Sequence, residues 1–148
     1  MKYSTKFSIE LRPHYSGSAA PYIDYTFNGH QQRVPLLSSS TVLSFCPDLE
    51  EGPQEFVLDF FNKTDSTPDM AVEIVNVKFE DMALDRFKWN NRYYPRYPEP
   101  WASEQPEPLP EFQQSATYLG WNGRWVLNFE TPIFTWIHRL ENLGWIYT

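Results

Sequence analysis

Residues 22–34 read YIDYTFNGHQQRV and residues 116–130 read ATYLGWNGRWVLNFE. In each stretch, runs of alternating apolar and polar residues flank an Asn-Gly pair, Asn28-Gly29 in the first and Asn122-Gly123 in the second. A tight type I′ turn needs positive φ at both central positions, which Asn and Gly tolerate at least cost, and its twist matches the strands it joins. Both stretches therefore predict β-hairpins, and the chain predicts a β-protein.

The same period-two pattern extends outward. Phe7, Ile9 and Leu11 alternate with Lys6, Ser8 and Glu10, and Ile23, Tyr25 and Phe27 alternate with Tyr22, Asp24 and Thr26. Pro35 closes the first hairpin and Pro47 stops the strand that starts at Thr41, because proline lacks the donor a ladder needs. Residues 54–61 carry apolar side chains on both faces and predict a central strand. In residues 70–79 the doubled apolar pair Ile74-Val75 predicts a bulge or a change of face. Beyond the second turn, Trp125, Leu127 and Phe129 share one face. Residues 133–140 and 143–147 are read as strands on their β-branched and aromatic content, although Ile133, Ile137 and Leu140 also recur at helical spacing.

About nine to eleven short strands with turn signals between them predict an antiparallel β-sandwich of jelly-roll type. At 148 residues the chain fits a single domain. Its sandwich strands are expected over residues 1–80 and 116–148. Residues 81–115 are expected to form an extended excursion, since Pro95, Pro98, Pro100, Pro106, Pro108 and Pro110 fall there among the chain's 13 prolines. Disordered segments are usually aromatic-poor, whereas this one interleaves Trp89, Tyr93, Tyr94, Tyr97 and Trp101. An ordered, proline- and aromatic-rich arm that clasps a protein partner or a second copy of the chain is the expectation.

Composition removes several functions. A net charge of −7 with no basic cluster argues against nucleic acid, whose affinity comes largely from Lys and Arg neutralising phosphates. Cys46 is the single cysteine, so neither an intrachain disulfide nor a cysteine-based zinc site can form. The first residues contain no apolar signal core, and nowhere do about 18 apolar residues run together. A soluble protein without signal peptide or membrane span is expected. His14, His30 and His138 lack metal-ligand spacing, and a nucleophile elbow, a phosphate-binding glycine loop and a dinucleotide fingerprint are missing. No catalytic residues are assigned, and the chain is read as a non-enzyme.

Two constellations remain. The first is an oxygen-rich loop containing Asn62, Asp65, Asp69 and Glu73, residue types that calcium takes in sets of six to eight oxygens. The competing reading is a solvated loop in which Asp and Asn cap their own backbone. The second is aromatic: Tyr94, Tyr97 and Trp101 in the proline-rich segment and Trp121 beside the second Asn-Gly pair are candidate ligand or partner contacts, since such rings stack on sugars and dominate interfaces. Trp125, Trp136 and Trp145 are assigned to packing.

Residues 52–77, GPQEFVLDFFNKTDSTPDMAVEIVNV, resemble the region of calcium-dependent xylan-binding carbohydrate-binding modules in which a strand ends in Phe-x-Asn-Asp and a loop leads into Asp-Arg-Asn-Leu-x-Val-Asp. Phe60, Asn62, Asp69, Val72 and Glu73 sit at or near matching positions. Lys63 stands where the second acidic residue is expected, and Pro68 replaces the arginine. The resemblance implies a non-catalytic β-sandwich that holds sugar hydroxyls through a bound calcium ion. Residues 116–147 are similar in style to structural proteins of tailed phages, especially those infecting cyanobacteria. That likeness implies a virion-associated component, located on the particle or in the host cytoplasm during assembly. A structural or assembly protein is the first functional expectation, and a calcium-dependent glycan-binding module is the alternative.

Overall fold

Alternation of buried and exposed residues along β2 (Phe7–His14), β7 (Gly52–Phe60), β8 (Ala71–Phe79) and β13 (Gly123–Thr131) builds two antiparallel sheets that face each other as a sandwich. The arrangement comes from a computed structural model of the chain, which describes residues 2–83 and 85–140. The remaining strands are β1 (Lys2–Ser4), β3 (Tyr22–Phe27), β4 (His30–Pro35), β5 (Thr41–Phe45), β6 (Asp48–Glu50), β9 (Met82–Ala83), β10 (Asn91–Pro95), β11 (Gln113–Gln114) and β12 (Tyr118–Leu119). One sheet runs β11-β10-β13-β7-β3-β4, and the other runs β12-β8-β2-β5 with β9 added to β8. A small ribbon of β1 and β6 flanks them.

The core lies between the sheets and is built of rings. Phe7 of one sheet sits 5.0 Å from Phe79 beside it and 5.2–5.8 Å from Phe27, Phe56 and Phe129 of the other. These five side chains are at most 4% exposed. Burying one such side chain contributes about 1.5–3 kcal/mol, and an aromatic pair adds roughly 0.5–1.5 kcal/mol. Much of the chain's aromatic content, Trp125 and Trp136 included, is absorbed into this core.

The first Asn-Gly pair forms the expected hairpin: Asn28 and Gly29 have φ of 50° and 78°, and Phe27 pairs with His30 across the turn. The expected bulge is also present. Glu10 pairs with Asn76 but Leu11 pairs with Ile74, so Val75 is the extra residue.

Three expectations are corrected. The second Asn-Gly pair does not close a hairpin, because β12 joins β8 in one sheet while β13 joins β7 and β10 in the other. This segment instead crosses between sheets. Gly123 is required by crowding: a Cβ there would lie 2.6 Å from the Tyr94 carbonyl oxygen and 2.8 Å from the Pro95 Cα.

Residues 133–140 are helical rather than extended. Helix α2 (Ile133–Leu140) buries Ile133, Trp136 and Ile137, the i, i+3, i+4 stripe of an amphipathic helix. It follows Pro132, whose missing N–H is harmless in a first turn, and the Trp136 N–H donates to the Pro132 carbonyl. Trp136 packs on Phe79 and on Phe87 of α1 (Asp85–Trp89). Tertiary burial of one stripe overrides β-propensity here. The further strand expected over residues 143–147 lies outside the described residues.

Residues 81–115 are not a uniform extended excursion. They contain α1, a short 3-10 turn at Ala102–Glu104, and β10, which lies inside the six-stranded sheet between β11 and β13. Proline removes a ladder donor only at its own position, and Pro95 is the last paired residue of β10. The segment then folds back on its own sandwich, placing the Phe112 ring 5.6 Å from that of Tyr94. Among the described residues, no helix is long and apolar enough to cross a membrane.

Candidate functional site

One end of the sandwich, where β7 ends and β8, β12 and β13 meet loops, carries the candidate site. Helices α1 and α2 cap the opposite end. Two asparagines shape the loop that follows β7. The Asn62 side chain accepts from the Tyr22 N–H at 2.8 Å and donates to the Ala20 carbonyl at 2.9 Å, tying the loop to the start of β3. The Asn122 side chain does the same to Lys63, accepting from its N–H and donating to its carbonyl, each at 2.8 Å. A primary amide used in this way replaces a neighbouring strand's peptide group, satisfying both backbone groups of one residue. At the loop tip Thr64 and Thr67 close a turn on themselves.

Trp121 is held as firmly. The buried Tyr93 hydroxyl accepts from the Trp121 N–H at 3.1 Å and donates to the Trp121 carbonyl. Burial pushes the Tyr93 phenol well above its ordinary pKa, so it remains a neutral donor. With its backbone fixed, the Trp121 ring lies 4.9 Å from Trp101 and 5.9 Å from Tyr97. The Lys63 ammonium sits 5.2 Å from the Trp121 ring centre, a cation–π contact, and donates to the Gly120 carbonyl at 2.5 Å. Burial draws the Lys63 pKa below the usual lysine range, and the nearby Asp69 carboxylate opposes that shift.

Two open cavities adjoin this cluster. The larger, about 850 Å³, is bounded by His14, Ser16, Asp69 and Tyr118, and the smaller, about 270 Å³, by Asp65 and Arg96; Lys63, Pro68 and Trp121 line both. Lys63, Pro68 and Trp121 therefore form the wall the two cavities share. Arg96 is held by Asp59 at 2.8 Å, and Trp101 remains 38% exposed.

Of the four residues singled out for aromatic recognition, Tyr97, Trp101 and Trp121 converge. Tyr94 does not join them. Strand alternation turns Tyr93 inward and Tyr94 to the outer face of the sheet, where it packs on Phe112 and under the Arg124 guanidinium at 5.0 Å.

The four oxygen-bearing residues of the loop are dispersed among other partners. Asn62 spends both polar atoms on backbone, Asp65 is exposed beside the small cavity, Asp69 accepts from the Ser16 hydroxyl at 2.8 Å, and Glu73 accepts from the His14 Nε2 at 2.9 Å with Arg12 at 3.7 Å. Among the described residues, no three His, Cys, Asp or Glu side chains come close enough together to hold a metal ion. Lys63, at the motif position where the resemblance expects an acid, places its ammonium on the Gly120 carbonyl and near the Trp121 ring, a departure from the donor set that the resemblance implies for calcium.

Lys63, Tyr93, Arg96 and Asn122 were not singled out as site residues. Lys63 had a sequence signal, its departure from the motif. Tyr93 is one of the interleaved aromatics of the proline-rich segment, whereas Arg96 and Asn122 carry no site signal in the sequence, because their roles depend on contacts between distant segments.

No protein-family model and no curated protein sequence matches the chain. Two solved structures are similar to it. A structure of vCBM60 in complex with galactobiose shares 12% identity at a TM-score of 0.51, covering 84% of this chain and 97% of the other. A selenomethionine form of vCBM60, described through the circular permutation that links two families of calcium-dependent carbohydrate-binding modules, shares 13% identity at a TM-score of 0.54, covering 84% of this chain and 90% of the other. The chain has the fold of these carbohydrate-binding modules, an antiparallel β-sandwich.

Proposed function

We propose that the protein is a non-catalytic glycan-binding module that takes its sugar at the Tyr97, Trp101 and Trp121 cluster. One observation carries this reading: three rings from two distant segments converge beside a wall of polar side chains at an open end of the sandwich. Apolar ring faces with a few fixed polar groups are what a sugar needs, since a pyranose presents a C–H face and a rim of hydroxyls. The fold shared with a module solved in complex with galactobiose supports the reading without extending its ligand to this chain. Placing three rings at a solvent-facing end leaves apolar area uncovered, which a folding sequence gains little by keeping.

The test is a printed array of neutral oligosaccharides, followed by titration calorimetry on any sugar retained. Trp121→Ala removes the central ring and is expected to weaken binding about 30-fold, the equivalent of a hot-spot loss of roughly 2 kcal/mol. Unchanged affinity in a folded Trp121→Ala variant would place the site elsewhere, and a wild-type protein that retains no sugar would sink the reading.

A further inference from the structure

We infer that the Lys63 ammonium is the built-in cation of the glycan site, so that sugar binding needs no metal ion. The inference rests on the glycan-binding reading and specifies its chemistry. A bound cation in such a site serves to draw in the lone pairs of sugar oxygens, and the geometry around Lys63 supplies that service from the polypeptide itself.

Three observations support it. First, the Lys63 main chain is clamped on both sides by the Asn122 amide, with both bonds at 2.8 Å, so the side chain departs from a fixed point. Second, its ammonium is held at 2.5 Å by the Gly120 carbonyl and lies 5.2 Å from the Trp121 ring centre. An ammonium has three N–H donors, and with Gly120 as its acceptor among the described residues, two are left for ligand oxygens. Third, Lys63 lines both cavities together with Trp121, so donor and ring face the same ligand volume.

The residues that would be asked to hold a metal are committed elsewhere. Asn62 is bonded to Ala20 and Tyr22, and Glu73 to His14. Freeing Asn62 would untie the loop that carries Lys63. Asp69 near the ammonium, with Asp65 and Arg96 bordering the smaller cavity, makes the wall a mixed-charge rim suited to neutral, hydroxyl-rich sugars.

The test uses the full chain with galactobiose and the printed array of neutral oligosaccharides as probes. Each is applied in chelator and again in millimolar calcium, to the wild type and to Lys63→Met and Lys63→Arg. The expected result is equal wild-type binding in both buffers, a loss of about 10–100-fold in Lys63→Met, the weight of charge-assisted hydrogen bonds, and substantial retention in Lys63→Arg. Near-ultraviolet circular dichroism establishes that each variant is folded. Binding that appears in calcium and vanishes in chelator overturns the inference while leaving the glycan reading intact. So does metal-independent binding that a folded Lys63→Met variant retains. A wild type that binds no sugar in either buffer overturns the glycan reading, and the inference with it.

Discussion

Tyr93→Phe removes one oxygen atom and tests how the aromatic cluster is held. Tyr93 is 1% exposed and its hydroxyl both accepts from the Trp121 N–H and donates to the Trp121 carbonyl. The phenylalanine ring keeps the packing volume, so no cavity term enters. What changes is that two backbone groups of a half-buried residue lose their partner together. A buried polar group left unpaired costs about 1–3 kcal/mol. Because Trp121 lies near an open cavity and water can reach part of the gap, we expect about 2 kcal/mol in all. A chain of this size loses about 2–4 °C of melting temperature per kcal/mol, so the midpoint should fall by about 4–8 °C. Scanning calorimetry gives the midpoint, and a urea titration with unchanged slope would show that the loss is one of stability rather than compactness. A fall of less than about 1 °C would refute the claim that this hydroxyl anchors Trp121.

Two substitutions probe the frame around that anchor. Gly123→Ala would place a methyl group 2.6 Å from the Tyr94 carbonyl oxygen and 2.8 Å from the Pro95 Cα, both backbone atoms of β10; it is expected to destabilise by about 2–3 kcal/mol, read by chemical denaturation. Trp136→Ala, at the far end of the sandwich, removes a ring 6% exposed that packs on Phe79, Phe87 and Phe129. It should cost about 3–5 kcal/mol while leaving sugar affinity unchanged below its melting temperature, and a parallel loss of affinity would mean that the two ends are coupled.

Local chemistry was legible before the fold was known. Asn28-Gly29 needs only its own φ angles and two flanking strands, and the period-two strands needed only their alternation. Asn122-Gly123 carries the same dipeptide for another reason: its glycine answers a close approach of β10 and its asparagine answers Lys63, both contacts between segments far apart in sequence. Residues 133–140 show a related ambiguity. Ile, Phe, Thr and Trp favour strands, but a stripe at helical spacing wins once Phe79 and Phe87 provide a surface for it. At the site, aromatic type and position in a proline-rich segment were enough to bring forward Tyr97, Trp101 and Trp121. They could not separate Tyr94, because the parity of a strand is set by its register. The loop oxygens were read as one constellation because they are close in sequence. Asn62, Asp69 and Glu73 each found a nearer partner in the folded chain.

The order in which these strands pair bears on how the molecule comes to exist. Phe7, near the start of the chain, completes its packing only against Phe129, at 5.8 Å. Between them, β2 waits for β8, and β7 waits for β13. A chain emerging from the ribosome can close the β3–β4 hairpin at once, but not the sandwich, which requires residues 123–131. Topologies dominated by such distant pairings fold in milliseconds to seconds rather than microseconds. During that interval the rings destined for the interior are exposed to solvent and to other nascent chains. Yield on synthesis should therefore respond to translation speed and to chaperone supply.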